Sequence, residues 1–156
     1  MVLADNLTRH NIILRPKSTN RWDLIKEMVE LAVKNGDLPA EDRDEIIRSL
    51  IEREKSMTTG IGNGVAIPHC TTSKVNDIVV VMTISNKGID FDSVDSQTVK
   101  IVILLLVPKN KLTQHIKTLA NIAKMMGDSS LRENILSLKS AEAVLNAMKN
   151  YKLTGS

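Results

Sequence analysis

The segment Lys100-Ile101-Val102-Ile103-Leu104-Leu105-Leu106-Val107 contains the longest unbroken apolar run of the chain. It is rich in β-branched residues and far shorter than the ~20 residues that a bilayer-spanning helix needs, so it predicts a buried strand. A similar run at residues 78–84 predicts a second strand. Asn86-Lys87-Gly88 and Asp92-Ser93 are turn-forming residues that separate the two runs. We therefore expect two interior strands of one sheet.

Two helices are predicted on the N-terminal side of these strands. Ser18-Thr19-Asn20 offers N-cap groups for the first helix, and Asn35-Gly36 is a plausible stop. Its apolar positions are Trp22, Ile25, Val29 and Ala32. Pro39 suits the first turn of the second helix, which should end near Lys55. Its apolar positions are Ile46, Ile47, Leu50 and Ile51.

A third helix is predicted on the C-terminal side of the strands, after Pro108. Its apolar positions are Leu112, Ile116, Leu119, Ala123 and Met126. Two shorter helices are predicted near residues 131–138 and 141–148, and residues 11–15 suit a short strand. Strands and helices mixed along one chain indicate a layered α/β domain.

Composition limits the classes of function. The chain has 156 residues, enough for one domain, and a formal net charge of +3. The only aromatic residues are Trp22, Phe91 and Tyr151, too few for the stacking that single-stranded nucleic acid requires. We expect neither nucleic acid as a partner nor insertion into a membrane. The absence of a secretory pattern at the start and the single cysteine, Cys70, predict a cytoplasmic protein.

His69 is the first candidate for chemistry. It directly follows Pro68, whose ring restricts the backbone before the imidazole. Histidine is neutral often enough near pH 7 to act as a nitrogen nucleophile, and its environment tunes that balance. The alternative is a structural histidine at the end of a strand, and the residues around it do not decide between the two.

The segment before His69 is rich in glycine. Backbone N–H groups at such a segment are able to turn toward an anion, which makes Thr59, Gly60, Gly62 and Gly64 candidates for binding phosphate. A plain surface turn is the alternative. The spacing matches neither the dinucleotide fingerprint nor a phosphate loop that ends in Gly-Lys-Ser/Thr, so we expect no nucleotide cofactor.

Arg53 and His115 are two further candidates. His115 shares a helix face with Leu119, Ile122 and Met126, so it should point inward as a core histidine or as part of a site. Arg53 shares a stripe with Ile46, Leu50 and Met57. A guanidinium on such a stripe either binds an anion or extends into solvent at the end of the helix. Together with His69 these residues would suit phosphoryl transfer, which needs positioned positive donors.

A cysteine-dependent hydrolase and a metal site are the other chemistries considered. Cys70 and His69 are adjacent on an extended segment, so their side chains should point to opposite faces and not pair. A Cys70–His115 pair would give the hydrolase. His10, His69, Cys70 and His115 show no recognised metal spacing, so we expect no metal.

At these residues the chain resembles the enzyme IIA domains of the bacterial phosphoenolpyruvate-dependent phosphotransferase system. The resemblance is to the fructose/mannitol type, which includes nitrogen-regulatory IIA proteins. The segments that carry it are Arg53-Glu54, Thr59-Gly60-Ile61-Gly62, Val65-Ala66-Ile67-Pro68-His69, Gly88-Ile89-Asp90-Phe91-Asp92, Leu106-Val107-Pro108 and the helix of His115. It implies a mixed β-sheet flanked by helices on both faces, and a single IIA domain over residues 1–156.

The resemblance also implies a function. In this family the histidine equivalent to His69 accepts a phosphoryl group from the histidine-containing phosphocarrier protein, and Arg53 and His115 match its pocket arginine and second histidine. Transport members pass the group to a cysteine of a IIB partner, whereas nitrogen-regulatory members control target proteins. The resemblance slightly favours the regulatory type, with a fructose or mannitol uptake component as the alternative.

Two departures from the family pattern accompany the resemblance. Asp95-Ser96-Gln97-Thr98 stands where many members have Asp-Gly-x-Pro, so a turn of different shape is expected there. Cys70 replaces a residue that is usually small. Neither departure falls on Arg53, His69 or His115.

Overall fold

Six strands form a sheet at the centre of the structure, a computed structural model that describes residues 5–151. The strands are β1 (Ile12–Ile13), β2 (Gly60–Gly62), β3 (Val65–Ala66), β4 (His69–Thr72), β5 (Val79–Ile89) and β6 (Val99–Pro108). Their order is β1-β5-β6-β3-β2, and β4 also pairs with β6. Strands β5 and β6 are antiparallel, whereas β3 and β4 run parallel to β6. The sheet is therefore mixed, and both predicted interior strands are confirmed.

Five α-helices accompany the sheet in the described part of the chain. They are α1 (Arg21–Lys34), α2 (Arg43–Ser56), α3 (Leu112–Met126), α4 (Ser129–Ser137) and α5 (Ala141–Asn150). Short 3-10 turns occupy Arg9–Asn11, Ala40–Asp42 and Lys109–Lys111. Within residues 5–151 no helix has the length and apolar character needed to cross a membrane.

Helices cover both faces of the sheet, as predicted, and β6 shows how. Because strand side chains alternate between faces, β6 contributes to two cores. Ile103 and Leu105 pack in the core that includes residues of α3, α4 and α5. Leu104 and Leu106 pack in the other core, with residues of α1 and α2. An apolar run without alternation is what a strand buried on both faces requires.

Both ends of α1 follow the predicted signals. The Asn20 side chain accepts a hydrogen bond from the Asp23 N–H and caps the first turn. At the other end Gly36 has φ +81°, and the Asp37 N–H donates to the Ala32 carbonyl. Pro39 differs from the prediction because it precedes the 3-10 turn Ala40–Asp42 instead of standing in the first turn of α2.

The predicted turn at Asn86-Lys87-Gly88 is wrong. Strand β5 continues through these residues to Ile89, and its pairing with β6 shifts register between Ile84 and Ile89. An irregularity inside a strand accommodates extra residues, here of types that are otherwise typical of a turn. Gly88 has φ +79°, and a Cβ there would lie 2.8 Å from Thr98 Oγ1, which explains the glycine. The chain reverses direction after β5, where Asp92 has φ 51°.

The apolar face predicted for α3 is also wrong in part. Leu112 and Ile116 are 55% and 64% exposed, although both were expected in the core. The buried residues of the helix are His115, Thr118, Ile122, Met125 and Met126. The helix is thus rotated by about one residue from the prediction. Thr118 tolerates burial because its hydroxyl donates to the Gln114 carbonyl, 2.9 Å away.

Candidate functional site

His69 and Arg53 are in direct contact. The Arg53 Nε lies 3.0 Å from His69 Nε2, and His69 Nδ1 lies 2.7 Å from the Ile67 carbonyl oxygen. Since a guanidinium nitrogen only donates, Nε2 must accept and therefore carries a lone pair. Nδ1 then carries the proton and donates it to Ile67. The two contacts thus define one tautomer of a neutral imidazole.

His115 completes a cluster of three side chains. Its ring centroid lies 5.4 Å from that of His69, and the two rings are tilted by 47°. His115 is buried, as predicted. Its Nδ1 has no hydrogen-bond partner among the described residues. A buried polar atom without a partner is costly, which favours a site that another group completes.

The three side chains reach the site from both faces of the sheet. His69 is the register partner of Leu105, which packs in the core of α3–α5, so its imidazole lies on the same face as His115. Arg53 belongs to α2, on the opposite face. Strand β4 pairs only with β6 in the described sheet, so the site lies at an open edge that Arg53 crosses.

The sequence left open whether Arg53 binds an anion or extends into solvent at the end of its helix. Arg53 is exposed, and Met57, expected on the same stripe as Ile46 and Leu50, is 74% exposed. The buried stripe continues from Ile46 and Leu50 to Glu54 instead. The guanidinium therefore sits at the rim of the site, where it contacts both His69 and solvent.

Burial and nearby positive charge keep both histidines neutral. Burial lowers the pKa of His69, and the Arg53 guanidinium and His115 lower it further, against the opposing effect of the Ile67 carbonyl. Burial also lowers the pKa of His115, again with a contribution from Arg53. Both imidazoles are consequently unprotonated near pH 7. A neutral His69 with its lone pair on Nε2 is a competent nitrogen nucleophile.

The glycine-rich segment forms a tight hairpin. Asn63 and Gly64 have φ values of 59° and 76° and connect Gly62 to its partner Val65, the geometry of a two-residue type I′ turn. The structure thus has a turn in the segment where a plain surface turn was the alternative to anion binding, and Asn-Gly is a strong signal for such a hairpin. The Asp95 carboxylate accepts a hydrogen bond from the Asn63 N–H, 2.9 Å away, and so ties the hairpin to the turn at residues 93–96.

Two of the four candidates for phosphate binding, Thr59 and Gly60, already donate hydrogen bonds within the protein. The Thr59 N–H and hydroxyl both donate to the Glu54 carboxylate. The Gly60 N–H donates to Thr58 Oγ1, 3.0 Å away. A Cβ at Gly60 would lie 2.2 Å from Ser93 Oγ, which explains this glycine by close packing. Thr59 thus has no free donor, and the phosphate role of Gly60, Gly62 and Gly64 stays a prediction.

Glu54 is the residue that sequence reasoning missed. It is buried on the last turn of α2, next to Arg53, and its carboxylate forms an ion pair with Arg21 at 3.2 Å. Buried carboxylates are rare unless paired. The signal was available in the spacing Ile46, Leu50, Glu54, which places a charged residue on the buried face of α2.

Cys70 gives little support to the hydrolase. It lies on the α1–α2 face of β4, away from the face of His69, as predicted for adjacent residues of a strand. Burial raises the pKa of its thiol to about 11, despite a hydrogen bond with Ser49. A neutral, buried thiol is a poor nucleophile. Among residues 5–151 no group of three or more His, Cys, Asp or Glu side chains is arranged to hold a metal ion.

A neutral imidazole beside a guanidinium, on the edge of an open α/β sheet, is an arrangement suited to phosphoryl transfer. The family described as "Phosphoenolpyruvate-dependent sugar phosphotransferase system, EIIA 2" matches residues 5–151. The chain belongs to this family, which confirms the resemblance drawn from the sequence.

Relatives and solved structures agree with this assignment. A nitrogen regulatory protein of Pseudomonas aeruginosa is 35% identical over 142 residues, 91% of each chain. A fructose-specific EIIABC component of Bacillus subtilis is 28% identical over 97% of this chain, which spans only 24% of that relative. The crystal structure of nitrogen regulatory protein IIA-Ntr from Neisseria meningitidis superimposes with a TM-score of 0.86 at 27% identity, covering 95% of this chain and 99% of the other.

One structural neighbour was solved with a partner. The complex of enzyme IIAMtl and phosphorylated enzyme IIBMtl from Escherichia coli contains a chain that superimposes with a TM-score of 0.76 at 25% identity. The match covers 93% of this chain and 98% of that one. Sugar-specific and nitrogen-regulatory proteins are thus both relatives, and the family alone does not separate the two roles.

Proposed function

We propose that the protein is a phosphoryl carrier that accepts a phosphoryl group on His69 Nε2 from the histidine-containing phosphocarrier protein. One observation carries the proposal: His69 Nδ1 is held by the Ile67 carbonyl while Nε2 faces Arg53 with its lone pair. The same atom is therefore nucleophilic and adjacent to a positive charge. We further propose that residues 1–156 act as a single IIA domain.

The proposed reaction exchanges one bond for another. The lone pair of His69 Nε2 attacks the phosphorus of the donor's phosphohistidine, and a P–N bond to His69 forms as the P–N bond to the donor breaks. Each ring keeps the proton on its second nitrogen, so no proton is transferred. As the His69 ring gains positive character, its Nδ1–H bond to the Ile67 carbonyl strengthens.

Arg53 and His115 stabilise the transferring group. The group carries negative charge on its three equatorial oxygens, so preorganised donors lower the barrier. On arrival of the phosphoryl group Arg53 gives up its contact with Nε2, and its N–H groups turn to the oxygens. His115, whose ring lies 5.4 Å from that of His69, supplies a second donor once its imidazole takes up a proton from solvent beside the new dianion.

Exposed apolar residues beside the site provide the surface for the donor. Leu112 and Ile116 flank His115 on α3, and Met57 follows Arg53 by four residues; all three are more than half exposed. A phosphocarrier protein must cover this rim to bring its phosphohistidine to His69. Apolar residues around a polar centre are typical of such interfaces.

Two roles are possible for the phosphorylated protein. A nitrogen-regulatory role, in which the phosphorylation state of His69 controls a target protein, is supported by the relative in Pseudomonas aeruginosa. Transfer to a IIB cysteine in fructose or mannitol uptake is supported by the solved IIA–IIB complex. Both roles place the protein in the cytoplasm, which agrees with its reduced cysteine.

The central test is incubation with phosphoenolpyruvate, the general phosphotransferase enzyme and the phosphocarrier protein, followed by intact mass measurement. We expect one acid-labile phosphate on the wild type and none on His69→Ala, with His10→Ala as a matched control that is still phosphorylated. A wild type that stays unmodified would overturn the proposal.

A second experiment separates uptake from regulation. It measures phosphoryl transfer from the phosphorylated protein to a purified IIB domain, beside pull-downs of target proteins with wild type and His69→Asp.

A further inference from the structure

We propose that Glu54 is a positioning residue that holds Arg53 and His69 in the geometry needed for phosphoryl acceptance. The inference rests on the proposed function. Glu54 does not touch the imidazole, but it is the one buried acid of α2 and directly follows Arg53 in the chain. Its carboxylate has a side-chain exposure of 0%.

The Glu54 carboxylate is fully engaged by donors from two directions. Arg21, in the first turn of α1, donates from Nη1 to Oε2 at 3.2 Å. Thr59 donates its N–H to Oε2 at 2.9 Å and its hydroxyl to Oε1. Arg21 also donates to the Phe91 carbonyl at 2.8 Å. The last turn of α2 is thereby anchored to α1, to the segment after α2 and to the segment after β5.

A continuous path of hydrogen bonds connects Glu54 to the imidazole. The Thr59 carbonyl accepts a hydrogen bond from the Ile67 N–H at 3.0 Å. The Ile67 carbonyl then accepts the Nδ1–H of His69 at 2.7 Å. Thr59 therefore holds Ile67 through its N–H, while the carbonyl of Ile67 orients His69.

Arg53 closes this path into a ring. From Glu54 the path leads through Thr59, Ile67 and His69 to the Arg53 guanidinium, and the peptide bond between Arg53 and Glu54 returns it to its start. A shift of the Glu54 carboxylate therefore moves both partners of the Arg53–His69 contact. Since displacements of about 1 Å in a reacting geometry cost up to about a hundredfold in rate, the anchor bears on transfer.

The test compares Glu54→Gln with Glu52→Gln, an exposed glutamate on the same helix. Glutamine keeps the shape of the side chain but lacks the negative charge that binds Arg21. Its NH₂ group is itself a donor and would face the donors of Arg21 and Thr59. We expect nitrogen-15 NMR to show loss of the single Nδ1–H tautomer of His69 in Glu54→Gln only. We also expect phosphorylation by the carrier protein to slow by about tenfold to a hundredfold in that variant.

A second variant protects the test against loss of folding. Thr59→Val removes only the hydroxyl donor to Glu54, and we expect it to show the same two changes to a smaller extent. An unchanged tautomer in both variants would overturn the inference, even if transfer slowed. Failure of the wild type to accept phosphate would overturn the proposed function instead, while the NMR comparison would still decide the role of Glu54.

Discussion

The Arg53 Nε donates a hydrogen bond to His69 Nε2, so an arginine of α2 and a histidine of β4 meet across the open edge of the sheet. The contact keeps the proton on the other ring nitrogen and places positive charge where the phosphoryl group would arrive. It therefore joins two requirements of the proposed reaction, an unprotonated Nε2 and stabilisation of the incoming dianion, in one pair of side chains.

Replacing Arg53 by glutamine should slow phosphoryl acceptance by about a hundredfold. Loss of one preorganised donor to a transition-state oxygen costs roughly 2.7–4 kcal/mol in other enzymes. The measurement is the single-turnover rate of phosphorylation by the carrier protein. Arg48→Gln, at an exposed position of the same helix, should keep the wild-type rate. Equal rates for Arg53→Gln and wild type would contradict a role of Arg53 in phosphoryl acceptance.

Replacing His115 by glutamine should weaken the phosphorylated form. We expect its phosphoryl group to be lost to water about tenfold faster than from the wild type, because one donor to the dianion is missing. In the wild type, NMR titration should show that phosphorylation of His69 raises the pKa of His115, since the rings lie 5.4 Å apart. A pKa of His115 that does not move would contradict its proposed contact with the phosphoryl group.

Stability should fall as the pH is lowered through the histidine range. The pKa values of His69 and His115 both lie below the ordinary 6.5 in the folded protein. Between the lowered and ordinary values the unfolded chain binds more protons, so folding is favoured fully above about pH 6.5 and less below it. Urea midpoints at pH 7.5 and 5.5 should differ less in His115→Gln than in wild type or Lys117→Gln. An equal difference in all three proteins would contradict the assignment.

Cys70 should be unreactive and dispensable for phosphorylation. With a pKa raised from 9.0 to about 11, its thiolate population is roughly a hundredfold below that of an ordinary cysteine. We expect slow alkylation by iodoacetamide at pH 7.5 that accelerates only when urea unfolds the protein. Cys70→Ser should accept phosphate at the wild-type rate. Rapid alkylation with loss of an esterase or amidase activity would instead revive the hydrolase hypothesis.

Ile116 should contribute to binding of the phosphocarrier protein. Truncating a central apolar residue of an interface costs about 1–2 kcal/mol, so Ile116→Ser should raise the KM for the carrier about tenfold. The matched control is Lys124→Ser, two turns further along α3 and also exposed. Thermal unfolding of both variants should match the wild type because neither side chain is buried. A KM that stays constant would place the carrier on another surface.

The long strands and the first helix were predictable because each carries a strong local signal. Strand β6 is apolar on both faces, β5 is rich in valine, and α1 is flanked by the capping residue Asn20 and by Asn35-Gly36. Such signals depend on nearest neighbours in sequence. Such elements can therefore be predicted without knowledge of the tertiary contacts.

The errors arose where distant contacts outweigh local preference. Asn86-Lys87-Gly88 reads as a turn, but pairing with β6 carries β5 through it with a shift in register. Leu112 and Ile116 read as core residues, yet α3 packs its His115 face against the sheet. Helix propensity and apolar periodicity do not predict how a helix is rotated about its axis against the elements it packs on.

The site itself was predictable only as a set of residues. His69, His115 and Arg53 were identified from the sequence, and the structure brings all three together. The tautomer of His69 and the role of Glu54 were not, because both depend on hydrogen bonds between segments that are remote in sequence, such as Thr59 to Ile67. The spacing Ile46, Leu50, Glu54 indicates that the Glu54 carboxylate is buried, but it does not indicate which donors the carboxylate binds.

Arg53 and His115 belong to helices on opposite faces of the sheet, so efficient phosphorylation would depend on the folding of both helical layers. Each helix packs in a different core, one with α1 and one with α4 and α5. A chain whose α2 layer has not docked would still display His69 but lack its guanidinium, and a chain without a docked α3 would lack its second imidazole. A molecule with both layers in place would accept the phosphoryl group fastest and keep it longest, whereas a half-folded copy would be phosphorylated more slowly or would lose the group sooner.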